Sequence, residues 1–226
     1  MGSRHNLTKC RDFSFDVSDT VILPSDNVKI LGVSFDSLLS WDAHISRVVQ
    51  KCNAILVSLY RFRHYFTQAA LKIIIEAFVF PHITYCLCAW GSASKCRLYK
   101  VQKLINFAAR IVTGAKRHEH ITPSLNSLNW SKIESLVVRR DVTKVYKTLM
   151  MDGVPPEIRD MFTYRSAVCS RVTRETDRGS LHIRRCRLVS SQRSFSYRAA
   201  AAWNRLTPTV RTAATLRGFK AAVRDA

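Results

Sequence analysis

Near the start of the chain, apolar residues alternate with polar ones or form short β-branched runs. Such runs occupy residues 13–17, 21–23 and 28–35, and residues 24–27 (Pro-Ser-Asp-Asn) stand between the last two. Short β-branched runs bounded by Pro, Asn and Asp are typical of strands. We therefore expect a small antiparallel β element here, with Gly32 marking a bulge or a close backbone approach.

After Ser40, a plausible N-cap, the apolar positions recur at intervals of three and four, which is typical of amphipathic helices. Counted from Ser40, the apolar stripe that ends at Phe62 predicts a helix of about six turns, with Arg47 and Lys51 on its polar face. Three further helices are predicted from Thr67 to a break at Pro81, over residues 94–113 before Gly114, and from Thr122 to Leu128. Another begins at a capping box at residues 131–134 and ends at Met150. The last two are predicted over residues 199–206, around a core Trp203, and from Thr215 onward. The fold class is therefore mainly α, a helical bundle with a small antiparallel β element at the N-terminus.

Residues 157–192 have weak periodicity. We expect Leu181, Ile183 and Leu188 to form an exposed ribbon rich in Arg, and the Arg-rich segment, residues 163–193, to become ordered on binding.

The charge is one-sided. The chain has 226 residues with 36 Lys and Arg against 16 Asp and Glu, a net charge of +20. Residues 46–150 contain 17 cations against four acids, and residues 151–226 contain 15 cations, of which 14 are Arg. Such an excess favours a polyanionic partner, and the planar guanidinium suits phosphate. Wide apolar stripes between short capped loops favour a bundle over a membrane-bound helix.

Catalytic motifs are missing from the sequence. It contains no phosphate-binding Gly-rich loop, no G-x-S-x-G, no H-E-x-x-H and no adjacent pair of Asp residues. The acids of residues 1–45 are scattered over turns and a strand end, so we interpret them as solvated turn residues. No catalytic residue is predicted.

The cysteines and histidines give weak indications of a metal site. Cys169, His182 and Cys186 have a zinc-like spacing but no evident fourth ligand, so no metal is predicted. Cys86 and Cys88 lie in an apolar stretch and are expected to be core thiols. His44 and His64 are expected to be cap or surface residues. Seven cysteines and a polar start without a signal peptide favour free thiols and a nuclear or cytoplasmic, non-secreted location.

Several phrases of the sequence resemble one family. Residues 28–36 read V-K-I-L-G-V-S-F-D, and residues 39–45 read L-S-W-D-A-H-I. The order continues with A-F-V-F-P-H-I-T-Y at 77–85 before W-G at 90–91, V-Q-K-L-I-N-F-A-A-R-I-V-T-G at 101–114, V-Y-K-T-L at 145–149 with G-V-P at 153–155, and S-F at 194–195 with W-N-R-L at 203–206 and L-R-G-F-K at 216–220. These phrases, in this order, resemble the region after the catalytic core of non-LTR (LINE-type) retrotransposon reverse transcriptases. Thr207 departs from the family's usual Pro at that position.

The resemblance implies an organisation and a function. Residues 1–39 would be the end of the palm with a primer-grip-like hairpin, residues 40–115 a thumb-like helical bundle, and residues 116–226 a basic C-terminal region. The family's Y/F-x-D-D motif has no counterpart here, so the chain looks like a fragment of a truncated element. We expect it to grip the template–primer duplex and not to polymerise alone. We also expect it to contain no cofactor of its own, since the magnesium of the parent enzyme would be bound by the palm.

The expected nucleic-acid contacts are cations on the helices and in the C-terminal segment, with one glycine at the primer grip. They are Gly32, Arg47, Lys51, Lys100, Lys103, Arg110, Arg139, Arg140, Arg184, Arg185, Arg187, Arg193 and Arg198. RNA and DNA both fit this charge pattern as partners, and no feature of it specifies an oligomeric state. A stand-alone, non-enzymatic basic nucleic-acid-binding protein is the alternative function, and a basic module that docks acidic proteins is a third.

Overall fold

The computed structural model describes residues 14–17, 20–168 and 179–225. Its elements are β1 Phe15–Val17, β2 Thr20–Ile22, β3 Asn27–Ile30, β4 Val33–Asp36, α1 Asp42–Phe62, a 3-10 helix Arg63–Tyr65, α2 Gln68–Phe78, α3 Phe80–Thr84, α4 Leu87–Trp90, α5 Lys95–Thr113, α6 Thr122–Leu128, α7 Ile133–Met150, α8 Pro156–Arg159, α9 Arg165–Val168, α10 Val189–Gln192, α11 Phe195–Arg205, α12 Pro208–Arg211 and α13 Leu216–Asp225. The protein is mainly α with a small antiparallel β element, which confirms the expected fold class.

The helices divide the chain into two compact units. The first contains the described residues up to Cys86 together with Ala93–Ser131, and the second contains Leu87–Ser92 with the described residues after Ser131. Within the part of the chain that the structure describes, no helix is both long enough and apolar enough to cross a bilayer.

The β element consists of two short antiparallel hairpins. β1 pairs with β2, and β3 pairs with β4 with Ile30 opposite Val33. Leu31 and Gly32 form the connecting turn, and both have positive φ, 47° and 84°. A two-residue turn with φ positive at both positions matches the right-handed twist of a hairpin. The expected bulge at Gly32 was therefore wrong, and no other described part of the chain comes close, since a Cβ added there would meet no atom within 4 Å. The expected approach of a primer strand to Gly32 stays a prediction.

The core of the first unit lies between α1, α2 and α5. Ile45, Leu56, Ile75, Val101 and Ile105 are all at most 1% exposed. Ile45 and Leu56 are eleven residues, about three turns, apart on α1, and Val101 and Ile105 are four apart on α5. Each pair therefore lies on one helix face, as the periodicity predicted. Two boundary predictions are confirmed, since Thr67 caps α2 through its hydroxyl and Gly114 ends α5 with φ 73°.

The loop between β4 and α1 is held by Asp36, which sequence reasoning interpreted as a solvated turn acid. Its Oδ1 accepts hydrogen bonds from the Ser40 N–H at 2.8 Å and the Leu38 N–H at 3.2 Å, and its Oδ2 accepts one from the Trp41 N–H at 2.7 Å. Partial burial raises the pKa of Asp36, but the backbone hydrogen bonds together lower it by more. The net pKa is therefore below its usual value. Asp36 therefore positions the start of α1.

His44 was expected at the surface or at a helix cap, and the structure corrects this. It is 4% exposed in the first turn of α1, where its Nδ1 accepts a hydrogen bond from the Ser34 N–H at 3.4 Å. Burial lowers its pKa, and the charge of Arg47 lowers it further. His64, in contrast, is exposed in the 3-10 helix, as expected.

The core of the second unit forms between α7, α11 and α13. Val145, Trp203 and Phe219 are at most 1% exposed, and the rings of Trp203 and Phe219 stack at 5.8 Å. Trp203 is thus a core residue, as predicted. Leu181, expected on an exposed ribbon, is 1% exposed and belongs to this core. The Asn204 side chain holds it there by bonding both its N–H and its carbonyl.

Two local predictions in this part of the chain were wrong. α7 begins after Lys132 without a side-chain cap, so the capping box at residues 131–134 does not form. Cys86 is exposed, with φ 49°, at the break between α3 and α4. Its neighbour Cys88 is half-buried, and burial raises the pKa of that thiol to about 12.

Candidate nucleic-acid interface

A groove with cationic and aromatic walls runs along the seam where α1 and α5 pack in the first unit, and we call it the α1–α5 groove. It consists of two depressions that share Phe107. The narrower, of about 430 Å³, is lined by Val49, Asn53, Lys100, Lys103, Leu104 and Phe107. The wider, of about 500 Å³, is lined by Tyr60, Arg63, Phe107, Arg110, Gly114, Ala115, Lys116 and Arg117.

The helical repeat explains why one wall is basic. Lys100, Lys103, Phe107 and Arg110 follow one another at intervals of three and four on α5, so they form one stripe. The apolar positions Val101, Ile105 and Ala108 face the core instead. Three of the sequence-predicted contact residues therefore lie together in the groove.

The aromatic rings lie in the wider depression. The ring centroids of Tyr60 and Phe107 are 6.0 Å apart at an angle of 41°. The guanidinium carbon of Arg63 lies 4.0 Å from the Tyr60 centroid, a cation–π contact. Tyr60 is 48% exposed, so much of its surface remains available to a ligand.

Arg110 shapes the loop after α5. Its guanidinium donates to the carbonyl oxygens of Lys116, Arg117 and Glu119 at 3.3–3.5 Å, and the Glu119 carboxylate accepts from the Lys116 N–H at 3.2 Å. These bonds fold the loop back on the end of α5. Lys116 and Arg117 consequently line the groove at its wider end.

One acid partly neutralises the other end. The Asp42 carboxylate lies 3.1 Å from Nε of Arg97 and 3.4 Å from Nζ of Lys100. The hydrogen bond from Arg97 and then that from Lys100 lower the pKa of Asp42. Because these groups are exposed, the ion pairs are weak, and a phosphate can compete for Lys100.

The other predicted contacts of the first unit lie away from the groove. Lys51 is two residues from the groove residue Asn53, so it is on nearly the opposite side of α1. Arg47, one turn before Lys51, donates a hydrogen bond to the Ser34 hydroxyl of β4. Gly32 lies at the exposed tip of the β3–β4 hairpin, which the Tyr85 hydroxyl fixes by donating to the Leu31 carbonyl at 2.8 Å.

The second unit has its own basic cluster on α7 and α13. Burial lowers the pKa of the Arg139 guanidinium, and the positive charges of Arg224 and Arg140 lower it further. Like charges repel each other, and an anion bound beside them would relieve the repulsion. Arg224 was not among the predicted contacts, since its neighbour Arg139 is 85 residues away in sequence.

The Arg-rich segment of the second unit is partly anchored. The His182 N–H donates to the Thr163 carbonyl at 2.8 Å, just after the bridge between Tyr164 and Leu181. Beyond this point the predicted contact residues are exposed, and they are Arg184, Arg185, Arg187 and Arg193.

Arg198 differs from these residues because its donors are already used. Its Nε donates to Asp141 Oδ2 at 2.6 Å, and its Nη2 donates to Asp141 Oδ1 at 3.1 Å and to the Cys88 carbonyl at 2.5 Å. Arg211, 8% exposed, similarly donates to the carbonyls of Trp203 and Asn204 at the end of α11. These two Arg residues stabilise the second unit, so part of its Arg excess is structural.

Sequence reasoning missed half of the groove. It did not single out Tyr60, Arg63, Phe107, Lys116 or Arg117, which line the wider depression. A usable signal existed, since one aromatic residue, Phe107, lies among three cations at helical spacing on the stripe of α5. The pairing of this stripe with α1 could not be read from the sequence.

A polar depression of about 390 Å³ in the second unit contains His182 and Cys186. Among the described residues, no three His, Cys, Asp or Glu side chains come together as a metal site would require. Cys169, the remaining member of the zinc-like spacing, lies outside the described residues.

Comparison with known proteins gives no relative. No family model, curated protein or solved structure matches the chain. The resemblance to LINE-type reverse transcriptases therefore depends on the motif phrases alone, and it stays a prediction.

Proposed function

We propose that the chain binds nucleic acid through the α1–α5 groove, as the thumb-like part of a LINE-type RNA-directed DNA polymerase. The observation that carries the proposal is the continuous stripe of Lys100, Lys103 and Arg110 beside two groove aromatics. Lys and Arg supply the sequence-independent phosphate contacts that dominate nucleic-acid affinity.

The dimensions of the stripe suit a sugar–phosphate backbone. Lys100 and Arg110 are ten residues apart on one helix, which at 1.5 Å per residue is about 15 Å. A strand of a DNA duplex rises about 3.4 Å per nucleotide, so the stripe spans about four nucleotides. Lys100 and Lys103 can contact phosphates directly, while Arg110, whose guanidinium holds the loop carbonyls, adds positive charge at the other end. The stripe can therefore follow one strand without reading its sequence.

The β3–β4 hairpin supports the polymerase part of the proposal. It contains the V-K-I-L-G-V-S-F-D phrase that resembles the primer grip. Val28, Ile30 and Leu31 on this hairpin are 43%, 50% and 86% exposed. Adjacent exposed apolar side chains mark an interaction surface, and in a polymerase the palm would cover them.

A salt titration of binding tests the groove. The purified chain is titrated with a labelled RNA–DNA hybrid duplex at several salt concentrations, as wild type and as Lys100→Ala/Lys103→Ala. Each lost phosphate contact should lower the slope of log affinity against log salt by about 0.9, so by nearly two for the double variant.

The matched control is Lys132→Ala/Lys220→Ala, which removes the same charge from exposed positions outside the groove. If the two double variants lose the same slope and affinity, net charge alone drives binding, and the proposed groove is wrong.

Primer extension tests the second part of the proposal. Without an adjacent pair of Asp residues in its sequence, the chain should bind a primed template and incorporate no nucleotide. Metal-dependent incorporation by the purified chain would contradict this.

A further inference from the structure

We propose that the wider depression of the α1–α5 groove holds an unpaired nucleobase, stacked on the aromatic layer of Tyr60 and Phe107. The flanking phosphates would lie on Lys103 to one side and on Lys116 and Arg117 to the other. This inference rests on the proposed function, and it adds a preference for single-stranded segments that a phosphate rail alone would not have.

The geometry supplies a stacking surface. Tyr60 and Phe107 form the tilted pair described above, 6.0 Å apart, and Arg63 covers one side of Tyr60 at 4.0 Å. Guanidinium planes and aromatic rings are the groups on which proteins stack unpaired bases. The depression, of about 500 Å³, lies within the range of pockets that take small planar ligands.

The aromatic residues are not explained by the core of the unit. Tyr60 is 48% exposed, whereas the α1 core residues Ile45, Cys52 and Leu56 are fully buried. Phe107 is half-buried and lines both depressions. A partly exposed aromatic pair surrounded by cations is the combination that single-strand binding surfaces use.

The walls discriminate between possible occupants. A paired base is stacked inside its duplex, so only an unpaired base can present its face to Phe107. An acidic peptide would satisfy Lys103, Lys116 and Arg117, but its carboxylates would gain nothing from the rings, because the face of an aromatic ring repels negative charge. An unpaired nucleotide matches both the charge and the rings.

The test uses the full chain and short single strands that contain one 2-aminopurine, a base whose fluorescence falls when it is stacked. Deoxyribose and ribose versions separate DNA from RNA, and a duplex of the same sequence measures the preference for single strands. The variants are Tyr60→Ala, the conservative Tyr60→Phe, and Phe107→Leu, which keeps an apolar side chain in a half-buried position.

Base–aromatic stacking predicts a clear effect. Tyr60→Ala and Phe107→Leu should weaken single-strand binding by between about fivefold and 150-fold and restore the 2-aminopurine fluorescence. Their salt slope should equal that of wild type, since no phosphate contact is removed. Tyr60→Phe should recover most of the affinity that Tyr60→Ala loses, because it restores the ring. Phe78→Ala, a control at a 61% exposed aromatic on α2, should bind as wild type does.

The outcomes separate this inference from the proposed function. If Lys100→Ala/Lys103→Ala weakens binding while Tyr60→Ala and Phe107→Leu change neither affinity nor fluorescence, the groove is a phosphate rail and the base site is wrong. If the lysine variant has no effect on any nucleic acid, the proposed function fails. Tighter binding of polyglutamate than of single strands would identify an acidic protein as the occupant and overturn the inference.

Discussion

Truncating Arg198 should destabilise the second unit severely, because it leaves the carboxylate of Asp141 without its counter-charge. Asp141 is 1% exposed, and Arg198 contacts both of its oxygens, at 2.6 Å and 3.1 Å. Burial raises the pKa of Asp141, while the hydrogen bonds and charge of Arg198 lower it. The net pKa of Asp141 is raised, and it would rise further without Arg198, so the ion pair favours the charged form of this buried carboxylate.

Removing one partner of a buried ion pair typically costs about 3–5 kcal/mol. Since whole domains are stable by only about 5–15 kcal/mol, Arg198→Met should lose a large share of the free energy of unfolding. Chemical denaturation followed by circular dichroism measures this loss. It should be smallest at low pH, where Asp141 is protonated in both states, and should grow as the pH rises through the raised pKa of the folded chain.

Two controls make the measurement decisive. Asp141→Leu combined with Arg198→Met removes both charges and should recover most of the lost stability, because an apolar pair leaves no charge buried. Arg193→Met removes an exposed guanidinium from the same region and should change stability by less than about 0.5 kcal/mol. A similarly small loss for Arg198→Met, or no recovery in the double variant, would refute this account of the pair.

Three further changes test other parts of the fold by denaturation. Gly91→Ala should cost about 1–3 kcal/mol, because the new Cβ would lie 2.5 Å from the Leu87 carbonyl oxygen. Leu31→Asn should stabilise the β3–β4 hairpin by about 0.5–1 kcal/mol, because Asn tolerates the positive φ that Leu31 adopts. The free energy of unfolding should fall as the pH drops below 6.5, because burial first and Arg47 second lower the pKa of His44 and the unfolded chain takes up a proton first. His44→Gln should remove that pH dependence. A variant with the same pH profile as the wild type would contradict the assignment of this dependence to His44.

Much of the fold could be predicted because helical periodicity and capping are local. The apolar stripe of residues 101–112 predicted α5. Thr67, Pro81 and Gly114 predicted helix boundaries, since each acts on backbone groups within a few residues. The turn of the β3–β4 hairpin was missed because no local sequence signal marks it. The run 28–35 contains no Asn-Gly or Asp-Gly pair, and Leu is an unexpected residue at φ 47°.

The candidate site was only half predictable. The basic stripe of Lys100, Lys103 and Arg110 follows from spacing along one helix. Its partner wall depends on which face of α1 packs against α5, and this placed Tyr60 in the groove and Lys51 outside it. Likewise, nothing local distinguishes Arg198 from Arg193, although one neutralises a buried acid and the other is exposed.

By itself, the sequence determined that the chain is mainly α, strongly cationic and equipped with a basic stripe on one helix. Tertiary structure alone decided which cations are available to a ligand. Whether the donors of a cation are already bound depends on residues that are distant in the chain. Asp141 and Arg198 are 57 residues apart, and Tyr60 and Phe107 are 47 apart. Packing brings such pairs within contact distance, and only there do desolvation and ring stacking act.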